Sequence, residues 1–164
     1  MVFIKCYALQ EISNIMSYDL MVFNPKNAPK SETDFMNWYE NQTEWEEEHD
    51  YDDPKVSSEE LRNWFMEMIN DFPALNGPYA PDDIDVRIDD DELTDYCVGK
   101  DVIYSAFRFS VAEKAYPKMI ELAEKHKVGF FDASGNGNIM FPNGNGILES
   151  INKKMESKPW WKFW

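Results

Sequence analysis

Cysteine and histidine are both scarce, since this chain of 164 residues has two of each. The two cysteines, Cys6 and Cys97, do not make the disulfide framework of a small secreted domain, and no C-x-x-C pair is present. A structural zinc site of cysteine and histidine ligands is therefore not expected. We expect a reducing compartment, the cytoplasm, with Cys97 as a buried thiol.

Long apolar runs are also missing. No stretch approaches the ~20 apolar residues that a membrane-spanning helix needs, and residues 1–15 lack the basic cluster and the small-residue cleavage site of a signal peptide. Met16 directly precedes the first convincing strand pattern, so we expect translation to start there and residues 1–15 to be a non-native or loosely attached extension. Because the sequence shows no repeat, low-complexity segment or linker, we expect residues 16–164 to form a single α+β domain.

Catalytic signatures are absent as well. The sequence contains no G-x-S-x-G, no H-E-x-x-H and no Gly-Lys-Ser/Thr of a phosphate loop. The glycine-rich stretch GNGNIMFPNGNG (135–146) follows a hairpin pattern, which favours turns over a phosphate loop. With only His49 and His126 available, acid–base catalysis by histidine has little to work with. We therefore favour a protein that is not an enzyme, and we expect no cofactor.

Cationic side chains are rare in the middle of the chain. The net charge is −15, and residues 31–99 hold 22 acidic side chains against three basic ones. Nucleic acid would be repelled by this block, because binding to it depends on cations that displace phosphate counterions, and anionic membranes are disfavoured for the same reason. A basic protein partner would be attracted. The alternative is that the charge only keeps the protein in solution.

The acidic side chains are concentrated in two segments, EWEEEHDYDD (44–53) and DDIDVRIDDDELTD (82–95). The first segment lacks the frame of an EF-hand loop and has no second His or Cys near His49, so the sequence evidence for a metal site is weak. The other two interpretations are a solvated helix end and a recognition surface. If the two segments converge, they form a patch suited to a basic partner; on opposite faces they would not. The predicted partner-binding residues are Glu46, Glu47, Glu48, Asp50, Asp52, Asp53, Asp89, Asp90 and Asp91.

Apolar spacing and capping residues predict the secondary structure. Strand patterns lie at 17–23, 94–99, 102–110, 128–134 and 138–141, and helical patterns lie at about 32–46, 57–72 and 110–127. Ser31, Ser57 and Ser110 are the expected N-caps. Pro117 should kink the third helix or displace its start. The acidic residues 83–92 are expected to form a short edge strand or coil.

The order β-αα-β-β-α-β predicts a ferredoxin-like split βαβ sheet with its helices on one face, followed by a C-terminal hairpin, a short helical stretch and a docked aromatic tail. Aromatic side chains on VIYSAFRFS (102–110) lie where a ferredoxin-like RNA-binding domain stacks bases. The basic and glycine positions of that motif are missing, so core packing is the better interpretation. The tail PWWKFW (159–164) is costly to leave in water and is expected to dock on its own domain.

Several segments resemble a family of bacterial proteins: MSYDLMVF (16–23), FMNWYENQTEW (35–45), NGPYAP (76–81) and VGFFDAS (128–134). The resemblance extends from Met16 to Trp164, and it implies a bacterial origin and a cytosolic setting. It implies no activity and no site residues.

Three functional hypotheses follow from the sequence. The first is a non-catalytic acidic binding protein, for example an immunity or inhibitor protein that covers the basic active site of a toxin. The second is a metal-dependent enzyme that uses the carboxylates of Asp52, Asp53 and Asp132 together with His49. The third is a homodimer with a structural role.

Overall fold

The computed structural model describes residues 17–87 and 89–152. The predictions for the extension 1–15 and for the tail 159–164 therefore fall outside the described residues. The strands are β1 (Ser17–Phe23), β2 (Asp95–Val98), β3 (Val102–Arg108), β4 (Gly129–Phe131), β5 (Ile139–Pro142) and β6 (Leu148–Ser150), and the helices are α1 (Glu32–Gln42), α2 (Glu59–Met68) and α3 (Ala112–His126). Short 3-10 turns lie at Pro54–Val56, Ile84–Val86 and Phe109–Val111.

The strands of the described residues pair antiparallel in one sheet with the order β2-β3-β1-β4-β5-β6. This arrangement confirms the predicted α+β class. The central strand β1 pairs along its whole length with β3, from Ser17 opposite Arg108 to Phe23 opposite Val102. On its other side, Met21 to Phe23 pair with β4. Strand β1 therefore has neighbours on both sides, and β2 and β6 are the edge strands of the sheet as formed by the described residues.

Two apolar cores lie on opposite faces of the sheet. Because side chains alternate along a strand, Leu20 and Val22 of β1 point to one face, and Met21 and Phe23 point to the other. All four side chains are fully buried. The first core contains the apolar side chains of α2 and α3, whereas Phe35 of α1 packs in the second core. We call the face of the second core the α1 face.

The expectation that the helices share one face is therefore wrong. A strand with apolar side chains on both sides has to be covered on both sides, and α1 covers the side of β1 that α2 and α3 leave open. The ring of Phe35 lies 4.9 Å from that of Phe23 and 5.3 Å from that of Phe131, centroid to centroid. Full burial of such a side chain stabilises the fold by about 1.5–3 kcal/mol.

The helix starts follow local hydrogen bonds that the sequence predicts only in part. Ser31 caps α1 as expected, because its Oγ accepts a hydrogen bond from Asp34 N at 3.2 Å. Helix α2 is capped by Ser58 instead of Ser57. The reason is that Ser57 is buried and its Oγ donates a hydrogen bond to Gly99 O at 2.7 Å.

Helix α3 begins after a 3-10 turn, at Ala112, so the expectation that Ser110 is its N-cap is wrong. The hydroxyl of Ser110 instead donates a hydrogen bond to Asp91 Oδ2 at 3.0 Å. Pro117 lies inside the helix. The later start therefore does not take this proline out of the helix, and the kink stays a prediction.

The C-terminal part of the sheet differs from the prediction in one strand. Strands β4 and β5 form the expected hairpin, with Phe130 opposite Met140. Strand β6 then pairs with β5, with Ser150 opposite Met140, where a short helical stretch was expected. Within the second acidic segment, residues 84–86 form a 3-10 turn and not a strand, which agrees with the alternative of coil more than with an edge strand.

Candidate acidic interface

The first acidic segment, residues 44–53, runs along the edge strand β2. Val98 N donates a hydrogen bond to Tyr51 O at 2.8 Å, so the segment pairs with part of the edge that β2 would otherwise expose. The ring of Trp45 packs 5.2 Å from Tyr51 and 6.1 Å from Tyr104, centroid to centroid. These aromatic contacts anchor the segment to the α1 face of the sheet.

The segment starts with a sharp change of backbone direction. Helix α1 ends at Gln42, not at about residue 46, and the hydroxyl of Thr43 donates a hydrogen bond to Tyr39 O at 3.0 Å. Trp45 then has a φ of 54°, in the left-handed region that bulky residues rarely adopt. The contacts of its ring with Tyr51 and Tyr104 hold this conformation, because they require the chain to turn back toward the sheet.

Two of the predicted binding residues serve the fold of the segment itself. The carboxylate of Glu47 accepts a hydrogen bond from Lys100 N at 3.2 Å and pairs with Nε2 of His49. Asp53 Oδ1 accepts a hydrogen bond from Lys55 N at 3.0 Å and so caps the following 3-10 turn. Glu47 and Asp53 therefore act first as structural residues.

Asp52 connects the segment to the loop that precedes the second acidic segment. Gly77 has a φ of 78°, and a Cβ atom at this position would lie 2.6 Å from the Cβ of Asp52. Only glycine fits such a close approach and such a φ without strain. Asp52 is half-buried at this contact, whereas Glu46, Glu48 and Asp50 are exposed.

The second acidic segment, residues 82–95, ends at the first residue of β2. Asp90 is half-buried and forms an ion pair with Arg87, with 2.7 Å between Asp90 Oδ2 and Arg87 Nη2. This ion pair lowers the pKa of Asp90. Asp91 is exposed and lies 3.4 Å from Arg108 Nη1, at the end of β3. Asp89 is exposed as well.

The two segments therefore flank one edge strand. The first contacts the carboxyl end of β2 at Val98 and the adjoining Lys100, and the second ends where β2 begins, at Asp95. A strand of this length spans only about 13 Å. We call the exposed carboxylates at its two ends the β2-edge surface, which consists of Glu46, Glu48, Asp50, Asp89 and Asp91.

Two buried carboxyl groups lie outside this surface. Asp95 on β2 is 2% exposed, and burial raises the pKa of its carboxyl to about 7, helped by the negative charge of Asp19. Asp132 after β4 is also 2% exposed. It accepts hydrogen bonds from Tyr18 Oη at 3.1 Å and Gly135 N at 2.8 Å, and burial raises its pKa. By sequence, Asp95 is the last residue of the second acidic segment and lies within a strand pattern, and neither pattern predicts that its side chain is buried.

The residues of the metal-enzyme hypothesis are not brought together. In the sheet order, β3 and β1 separate β2 from β4, so the segment that holds Asp52 and Asp53 lies away from Asp132. His49 pairs with Glu47. Within residues 17–87 and 89–152, no group of three or more His, Cys, Asp or Glu side chains is placed to hold a metal ion.

Comparisons with protein-family models, curated proteins and solved structures give no match. The resemblance to a bacterial family, and the origin that it implies, thus stay predictions. In the described part of the chain, no helix combines the length and the apolar character needed to cross a bilayer.

Cys97 differs from its expected state. It is 2% exposed in β2, and it is disulfide-bonded and not a free thiol. The chain's other cysteine, Cys6, lies outside the described residues. The expectation of a buried thiol is therefore wrong, and the cysteine content no longer supports a reducing compartment. The cytoplasmic location stays a prediction.

Proposed function

We propose that the protein is a non-catalytic acidic binding protein whose β2-edge surface covers a basic surface on a protein partner. An immunity or inhibitor protein that occludes the cationic active site of a toxin is the form of this activity that suits the charge best. The observation that carries the proposal is the position of exposed carboxylates at both ends of one edge strand.

Three of the five carboxylates of this surface are available to a partner. The side chains of Glu46, Glu48 and Asp89 form no hydrogen bond or ion pair with other described residues, unlike the neighbouring Glu47 and Asp90. Unpaired exposed charges attract a cationic surface over a distance of about 8–10 Å in physiological salt. Such fields raise association rates by a factor of about 10–10³.

The backbone of the surface is held in place before any partner arrives. The ring contacts of Trp45 and the Val98–Tyr51 hydrogen bond fix the first segment, and the Arg87–Asp90 ion pair braces the second. A preformed surface loses less conformational entropy on binding. This rigidity suits an inhibitor that covers a folded partner.

Affinity capture from the native cell tests the proposal with two matched variants. Variant E46Q/E48Q/D89N removes three charges from the β2-edge surface, and control variant E40Q/E113Q/E121Q removes three exposed charges from α1 and α3. We expect the wild type and the control to retain the same basic protein, and the surface variant to lose it at physiological salt. Equal capture by all three proteins would contradict the proposal.

A structural homodimer is the alternative, and it predicts a different oligomeric state of the purified chain. Analytical ultracentrifugation of the purified chain at micromolar concentration distinguishes the two hypotheses, because the measured molar mass of a homodimer is twice that of the monomer. A monomer favours the binding protein. A stable dimer that forms equally well in the E46Q/E48Q/D89N variant would favour the structural role.

We also propose that the sheet belongs to the ferredoxin-like split βαβ class. In support, the crossover from β1 to β2 has β3 inserted between its strands, and the crossover from β3 to β4 has β1 inserted. The position of α1 on the opposite face, and the added β5 and β6, would be departures from that class.

A further inference from the structure

Two aspartates face each other across three strands on the α1 face. In the strand registers, Asp19 of β1 and Asp95 of β2 both lie opposite Ala106 of β3. Side chains that occupy the same row of an antiparallel sheet point to the same face. The residue between the two aspartates in this row, Ala106, has only a methyl group as its side chain.

Each aspartate has a buried oxygen without a hydrogen-bond partner. Asp95 is 2% exposed, and its Oδ1 has no partner; the Oδ1 of Asp19 has none either. The other oxygen of Asp19 accepts a hydrogen bond from Tyr104 Oη at 2.9 Å. Leaving a buried polar atom unpaired costs about 1–3 kcal/mol, and more for a charged group. A ligand that contacts both of these oxygens would remove the cost at both aspartates.

The side chains next to Ala106 on this face of β3 are a cation and a phenol. Arg108 forms an ion pair with a carboxylate outside the row, and its Nη1 lies 3.4 Å from Asp91 Oδ1. On the other side of Ala106, Tyr104 presents a hydroxyl group, and burial together with the charge of Asp19 raises its pKa, so it stays neutral. The hydroxyl of Tyr104 thus adds a further oxygen beside the carboxyl group of Asp19.

We propose that Asp19 and Asp95 form a binding site for a hard cation, with carboxylate oxygens of both residues as ligands. Oxygen ligands are those that calcium and magnesium ions prefer, and magnesium in particular is often held by only two carboxylates together with water. Asp19 is half-buried, which gives the site a side toward solvent. The site is separate from the β2-edge surface, so it does not depend on the proposed partner.

Calorimetric titration with magnesium, calcium and manganese chloride tests the site. The full chain is first treated with a chelator and dialysed, and each ion is then added up to the millimolar range. We expect the wild type to bind one ion in a saturable step with at least one of the three metals. We expect variants D19N and D95N to lose this step and the control variant E113Q/E121Q, altered at exposed positions of α3, to keep it.

Thermal unfolding of the same proteins supplies the second readout. The bound ion should raise the melting temperature of the wild type and of E113Q/E121Q, but not that of D19N or D95N. Asparagine has nearly the shape of aspartate, and circular dichroism verifies that each variant folds. No saturable binding in the wild type, or binding that survives in both D19N and D95N, would overturn the proposal.

Discussion

Replacing Asp95 by asparagine should flatten the dependence of stability on pH. Burial raises the pKa of this carboxyl from its usual 3.8 to about 7 in the folded protein. Between these two values the folded chain holds a proton that the unfolded chain has lost, so stability falls as the pH rises. Above the folded-state pKa the loss is complete and stays constant. The asparagine side chain of the variant has no such proton to lose.

The size of the effect follows from the same values. From about pH 5 to about pH 8, the wild type should lose about 3 kcal/mol through Asp95, because each pKa unit corresponds to about 1.4 kcal/mol. The residue is 2% exposed, so solvent screens this term little. The D95N variant should be more stable than the wild type at the upper end of this range, by up to about that amount.

Urea unfolding at several pH values, followed by tryptophan fluorescence, measures the difference. A chelator in every sample keeps metal ions out. The difference between the two curves therefore reports on Asp95 together with its interaction with the charge of Asp19. Variant D89N, altered at an exposed position, should follow the wild type. Parallel curves for the wild type and D95N would refute the reasoning that Asp95 is buried without a compensating partner.

Three further predictions concern stability and are measured by urea unfolding. Phe35→Ala should cost about 3–5 kcal/mol, because it empties the core between α1 and the sheet; a loss no larger than that of exposed Glu40→Ala would contradict this packing. Gly77→Ala should cost about 1–3 kcal/mol, since its φ and the contact with Asp52 exclude a Cβ atom; an unchanged midpoint would argue against that contact. Ser57→Ala should cost about 1–3 kcal/mol by leaving Gly99 O unpaired, whereas Ser57→Thr, which keeps the hydroxyl, should cost less.

Local signals predicted much of the secondary structure. Strand β1 and the Ser31 cap depend on neighbours in the sequence, and both were predictable. The predicted caps at Ser57 and Ser110 were wrong because distant groups, Gly99 O and Asp91, take these hydroxyls away from the helix ends. Strand β6 has only three residues, too few for a periodic pattern.

The layers of the fold were harder to predict. The run Leu20–Phe23 is apolar at every position, which indicates burial on both faces but does not say which helix covers which face. The covering of Met21 and Phe23 by Phe35 depends on the path of the connection from β1 to α1. Sequence spacing alone does not define that path.

The candidate sites were also predictable only in part. The acidic segments could be recognised in the sequence from their charge. The position of the first segment beside β2 depends on the Val98–Tyr51 hydrogen bond, which no local pattern encodes. The Asp19–Asp95 pair was not predictable at all. These residues are brought together only by the registers of β1 and β2 with β3.

The central claim is that the β2-edge surface steers a basic protein onto this chain. Stopped-flow measurement of the association rate with the captured partner, over a series of sodium chloride concentrations, tests it most directly. The rate of the wild type should fall steeply with salt, and that of E46Q/E48Q/D89N should start lower and fall less, while E40Q/E113Q/E121Q follows the wild type. Equal rates and equal salt dependence for the wild type and the surface variant would contradict the claim.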